Sequence, residues 1–129
     1  MLKDNFFANQ RKVILVEVVK EENSTQRGLS DREQLQTAKG QDLGGMLFIF
    51  PEVSTRYFWM KDMHFDIDIC WFKERSLLDC TRQVLKPDSD NEENLAIYRS
   101  PQKVDLVLET MPDFLPSEFI GSKLYLNFF

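Results

Sequence analysis

The densest chemistry in the chain lies in one stretch, Phe58-Trp59-Met60-Lys61-Asp62-Met63-His64-Phe65-Asp66-Ile67-Asp68-Ile69, which carries an indole, an ammonium, an imidazole and several carboxylates. If residues 65–71 form a strand, His64, Asp66 and Asp68 share one face, roughly 6–7 Å apart in steps of two residues. An imidazole with two carboxylates suits a divalent metal such as zinc, manganese or iron, with positions left open for water or substrate. The chain has one histidine, and the commoner explanation of such a pattern is the solvated face of a half-buried strand. Trp59, Lys61 and Asp68 support a second reading: the ring stacks on a small polar ligand while the two charges orient it. The bland alternative has Asp68 accepting backbone hydrogen bonds at a bend and Lys61 laying its stem over the core, and for Asp68 it is the favoured one.

Other groups extend these readings. Tyr57, Phe58 and Trp59, with Phe48, Phe50 and Trp71, offer an aromatic platform for a sugar or aromatic ligand, although most of these rings are expected in the core. Arg27 beside Gly28, with Arg32, is a weaker anion-binding option near a helix start. Nucleophilic catalysis finds no Gly-x-Ser-x-Gly elbow, and His64 and Cys70 stand too far apart along a strand for a thiolate pair. Gly40, Gly44 and Gly45 lack the Lys-Ser/Thr of a phosphate loop. The reading leans away from an enzyme and toward a module that binds a small ligand or a protein. A metal-dependent enzyme using His64, Asp66 and Asp68 and a purely structural scaffold are the alternatives. No cofactor is called for beyond that optional divalent metal.

The elements that must position these residues read as short strands. Lys12 to Lys20 is β-branched on both alternating faces and is expected to be central. Met46-Leu47-Phe48-Ile49-Phe50 is a strand that Pro51 stops, and Arg56 to Lys61 forms the next. Phe65, Ile67, Ile69 and Trp71 define a core face opposite His64, Asp66, Asp68 and Cys70. Lys73-Glu74-Arg75 turns into Ser76–Leu85 as an antiparallel hairpin, which would let Cys70 and Cys80 face each other. Leu95–Tyr98, Val104–Leu108 and Lys123–Phe129 complete the strands. Ser24 and the capping-box pattern Ser30-Asp31-Arg32-Glu33 start two short helices, and residues 112–119 hold a further helical turn. The fold expected is therefore α+β and mostly β: a compact, barrel-like antiparallel or mixed sheet of about seven short strands with two or three short helices.

With 129 residues, 43% of them hydrophobic, the chain suits one domain spanning 1–129. Residues 1–11 form a disordered or extended N-terminal segment, and residues 86–94 form an acidic surface loop. A formal net charge of −5 opposes a nucleic-acid partner. The apolar run Met46–Phe50 is far short of the about 18 residues of a membrane span. The N-terminus lacks a secretory apolar core, so a cytoplasmic location is expected unless a leader has been removed. Cys70 and Cys80 have no metal-ligand spacing and are expected as plain thiols.

Arg27-Gly28-Leu29, Gly45-Met46-Leu47-Phe48-Ile49-Phe50-Pro51, Phe58-Trp59-Met60-Lys61 and Ile67-Asp68-Ile69 occur in an order and spacing that resembles the domain of unknown function 192 family. The likeness continues through Tyr98, Ser100-Pro101, Val107-Leu108-Glu109 and Gly121. It implies a small β-rich domain of bacteria and archaea with no established activity, whose relatives often carry a secretory or lipoprotein signal. The family pattern has Asn or Gly where Asp62 stands, Pro where Asp66 stands, and rarely histidine at position 64. The extra acids and His64 are thus local features of this chain.

Overall fold

A computed structural model of the chain describes residues 2–3, 11–12, 14–20, 44–88 and 95–126. Alternating β-branched and aromatic residues favour a pleated backbone there, because bulky side chains pack well across neighbouring strands. The strands are β1 (Leu2–Lys3), β2 (Arg11–Lys12), β3 (Val16–Lys20), β4 (Gly45–Ser54), β5 (Tyr57–Trp59), β6 (Ile67–Lys73), β7 (Ser76–Val84), β8 (Ile97–Arg99), β9 (Val104–Thr110) and β10 (Lys123–Leu124). Eight of them form one sheet in the order β2-β1-β10-β7-β6-β9-β4-β3, and β5 pairs with β8 in a separate two-stranded ribbon. Six strands of the large sheet, from β10 to β3, curl into a half-barrel. The architecture is mostly β and the sheet mixed, since β3 runs parallel to β4 while the other pairs are antiparallel.

Three expectations are corrected. Among the described residues the strand ending at Lys20 lies at the edge of the sheet, only partly buried from Val16 to Val19; apolar residues on both faces reflect cover from either side, which an edge position also permits. Pro51 does not end β4, which continues to Ser54 through a register shift against β9 between Ile49 and Ser54. An irregularity of this kind tolerates a residue without an N–H, because the ladder there asks for no donor. Among the described residues the expected helices reduce to one 3-10 turn, Ser117–Phe119. The two placed after Ser24 and Ser30 lie outside the described residues, as does most of the acidic loop.

The core occupies both faces of the half-barrel. Met46, Phe48, Ile67, Ile69, Trp71 and Val107 pack on one face with Phe58, Met60 and Met63. Leu47, Cys70, Phe72, Leu77, Leu106 and Leu108 pack on the other beneath Leu115 and Phe119. Phe58 stands edge-on to both Phe48, at 5.4 Å, and Trp71, at 5.7 Å, and so ties the ribbon to the sheet. The Trp71 indole N–H donates to Thr81 Oγ1 at 2.9 Å, which satisfies the polar edge of a fully buried ring. Gly45 is needed where β4 meets β9: a Cβ there would fall 2.5 Å from the Glu109 carbonyl oxygen. Among the described residues no helix is long and apolar enough to cross a membrane.

Candidate functional site

Asp68 is at the centre of the first cluster. Strand β6 is buried on both faces from Ile67 to Phe72, because its neighbours β7 and β9 carry core side chains to either side of it. The face assigned to solvent, through Asp68 and Cys70, therefore lies inside the protein, and Asp68 has 0% exposure. Its Oδ1 accepts the Gln83 N–H at 2.8 Å, and its Oδ2 accepts the Asp113 N–H at 2.9 Å and Arg82 Nη1 at 3.1 Å. Arg82 Nη1 also donates to the Leu115 carbonyl. Gln83 and Asp113 both have left-handed backbones, with φ 50° and 64°. Gln83 lies where the β6–β7 register shifts between Ile67 and Ile69. One carboxylate thus pins a strand irregularity and a turn more than forty residues away in sequence. Both oxygens are engaged by protein donors, the arrangement of a structural acceptor.

The proposed metal set does not come together. Strand β6 begins at Ile67, so His64 and Asp66 lie before it in irregular backbone. His64 is exposed, and Asp66 Oδ1 accepts the Lys86 N–H at 2.8 Å. Among the described residues no three His, Cys, Asp or Glu side chains are grouped as a metal would require. Asp62 has φ 58° in the turn closed by Met63 N–H to the Met60 carbonyl. Asp adopts this left-handed backbone at less cost than most residues other than glycine.

The second cluster lies on the ribbon. Register pairs Tyr57 with Arg99, Phe58 with Tyr98 and Trp59 with Ile97. Phe58 and Tyr98 turn inward to the core. Period two then puts Tyr57, Trp59, Ile97 and Arg99 on the outer face. Tyr57 is 59% exposed and Ile97 66%, and Lys61 Nζ sits 5.6 Å from the centre of the Trp59 ring. That distance is within cation–π range. The Trp59 indole N–H is buried with no hydrogen-bond partner among the described residues. The ribbon is held at its far end by Ser100, whose Oγ accepts the Arg56 N–H at 2.9 Å while its own N–H donates to the Arg56 carbonyl at 2.8 Å.

The aromatic platform is accordingly smaller than the sequence allows. Phe48, Phe50, Phe58 and Trp71 are core, with Arg56 stacked 3.9 Å over Phe50, and only Tyr57 and Trp59 of the six rings share the outer face. Lys61 and Trp59 meet, Asp68 belongs to the other cluster, and Arg27 lies outside the described residues. Ile97 and Arg99 carry no signal of their own in the sequence. The alternation of Tyr57 and Trp59 points to a shared face, and only the strand partner supplies the rest.

Glu109 is a further group the site patterns passed over. It lies on β9 between Met46 of β4 and Ile69 of β6, is 4% exposed, and burial raises its pKa to about 8. Cys70 and Cys80, expected as thiols, form a disulfide across β6 and β7, with Cα atoms 4.0 Å apart. Directly opposed positions on an antiparallel pair bring the two sulfurs within bonding reach.

A mixed half-barrel carrying a two-stranded ribbon, with one carboxylate buried as a pin and an aromatic-cationic face turned outward, defines a small β-rich domain. Residues 5–120 match the domain of unknown function 192 family, described as uncharacterised ACR, and the chain belongs to that family. A solved structure from Sinorhizobium meliloti 1021, described as a "putative transcription regulator", is similar at 25% identity and a TM-score of 0.69, covering 95% of this chain and 87% of that one. A protein of unknown function from Novosphingobium aromaticivorans DSM 12444 shares the fold at 15% identity and a TM-score of 0.63, over 95% and 91% of the two chains. No curated protein matches the sequence.

Proposed function

We propose that the protein is a non-catalytic binding module whose recognition surface is the outer face of the β5–β8 ribbon. The observation that carries this reading is the exposure of Tyr57 and Ile97 beside Trp59, with Lys61 over the indole and Arg99 opposite Tyr57. Exposed aromatic and aliphatic groups rimmed by positive charge favour a partner that is apolar and anionic, such as an aryl carboxylate or an acidic, aromatic-bearing peptide. Lys61 and Arg99 supply the attraction in a chain whose net charge is −5, and the rings supply the buried area. A role in transcription, which one similar structure's description carries, fits this reading through protein contact, because the acidic balance gives little purchase on phosphate.

Amide-resolved NMR titration with a panel of aryl carboxylates tests it. Saturable shifts centred on Tyr57, Trp59, Lys61, Ile97 and Arg99 are expected, and a Trp59→Ala, Lys61→Ala double variant should lose them. Ligands bound in full by that variant would put the surface elsewhere.

A further inference from the structure

A cleft distinct from the outer face opens at the end of the ribbon. It has a volume of about 450 Å³ and is lined by Met60, Leu85, Lys86, Asp88, Leu95 and Tyr98, with Pro87 and Ala96 completing the wall. Its size falls in the range of small-molecule sites, about 300–1,000 Å³. Part of the wall is held by the protein itself. Met60 is buried and closes a turn through its carbonyl to the Met63 N–H. Lys86 is anchored by its N–H to Asp66 Oδ1, and Tyr98 by its pairing with Phe58. Asp66 thus holds the backbone that carries Lys86.

The lining combines apolar surface from Met60, Leu85, Pro87 and Leu95 with one ammonium, one carboxylate and one phenol. Lys86 and Asp88 stand two residues apart with opposite charges, so a ligand of single sign would meet repulsion from one of them, whereas a zwitterion satisfies both. From this arrangement we infer that the cleft is a binding site for a small zwitterion with an apolar tail, of the chemical class of an aliphatic α-amino acid. The ligand's carboxylate pairs with Lys86, its ammonium with Asp88, and its side chain lies on Met60 and Leu95.

NMR titration of the full chain with L-leucine, isoamylamine and isocaproate decides the matter, the last two lacking the carboxylate and the ammonium respectively. L-Leucine should give saturable shifts at Met60, Leu85, Lys86, Ala96 and Tyr98. Each analogue, and each of the variants Lys86→Ala and Asp88→Asn, should weaken binding about tenfold or more, the loss of one charge-assisted hydrogen bond. Both substitutions are at exposed positions, so unchanged spectra elsewhere will show that the fold is intact. No saturable shift with L-leucine, equal binding of either analogue, or indifference to both variants would overturn the assignment.

Discussion

Asp68 and Lys61 are seven residues apart and both belong to the charged stretch that dominates the sequence, yet the fold uses them in opposite ways. Asp68 enters a strand covered on both faces and meets three donors, so its charge is consumed in holding the backbone. Lys61 follows the ribbon at a turn and lies over the ring of Trp59, on the strand whose other outward residue, Tyr57, is exposed. Residue type is therefore a poor guide to a site in this molecule. The number of donors a charge meets, and the exposure of the neighbouring apolar groups, separate the pin at Asp68 from the surface proposed on the ribbon.

The largest effect that would sharpen this contrast is at the pin. Asp68→Ala leaves Arg82 and two backbone N–H groups without their acceptor and should destabilise the fold by about 3–5 kcal/mol, read by urea denaturation. Arg82 is 30% exposed and can recover some hydration, which favours the lower end. A loss below about 1 kcal/mol would break the comparison. Next is the disulfide between neighbouring central strands: native protein should have an intact mass, under denaturing and non-reducing conditions, two hydrogens below that of its reduced form. Replacing both cysteines with alanine should lower stability by about 2–4 kcal/mol, although the share due to chain entropy depends on the reference state.

Glu109 gives a third contrast, a buried carboxyl whose ionised form is penalised by burial rather than stabilised by donors. Its folded-state pKa of about 8 stands above the ordinary 4.5, so the folded state holds its proton more tightly than the unfolded chain. Its contribution is fully present below the unfolded value and is lost as pH rises through the folded one, at up to about 1.4 kcal/mol per pH unit between them. Glu109→Gln should flatten this decline in a stability–pH profile, leaving the variant more stable than the wild type above pH 8. A wild-type profile that rises from pH 5 to 8 and is unaltered by the substitution would contradict this account of Glu109. Smallest in stability is the ribbon: Tyr57→Ser and Ile97→Ser should each alter it by no more than about 0.5 kcal/mol, the usual range for exposed positions.

The strands were legible because alternation of Ile67, Ile69 and Trp71 reports a pleat whatever its surroundings, and a short polar turn marks the hairpin that follows, although the Cys70–Cys80 pairing also needs the register shift between Trp71 and Phe72. Whether a strand is edge or centre was not legible, because it depends on which distant segments pair. That is why the stretch from Lys12 to Lys20 reads as central while β3 lies at the edge among the described residues, and why the polar-looking face of β6 is buried. The proximity of Trp59 and Lys61 follows from their local spacing. Ile97, Arg99 and the cleft beside Lys86 arise only when distant segments of the chain pair across the ribbon, and the wall held by Asp66 depends on a contact twenty residues away.

The central claim, that position 68 serves the fold and the ribbon face serves recognition, is tested most directly by measuring unfolding midpoint and aryl carboxylate binding on the same samples of wild type, Asp68→Asn and Tyr57→Ser/Ile97→Ser. The account predicts a large fall in midpoint for Asp68→Asn with binding kept by its folded fraction, and a near wild-type midpoint with binding lost for the ribbon double variant. Folded Asp68→Asn that no longer binds, together with a ribbon variant that binds as well as wild type, would contradict it.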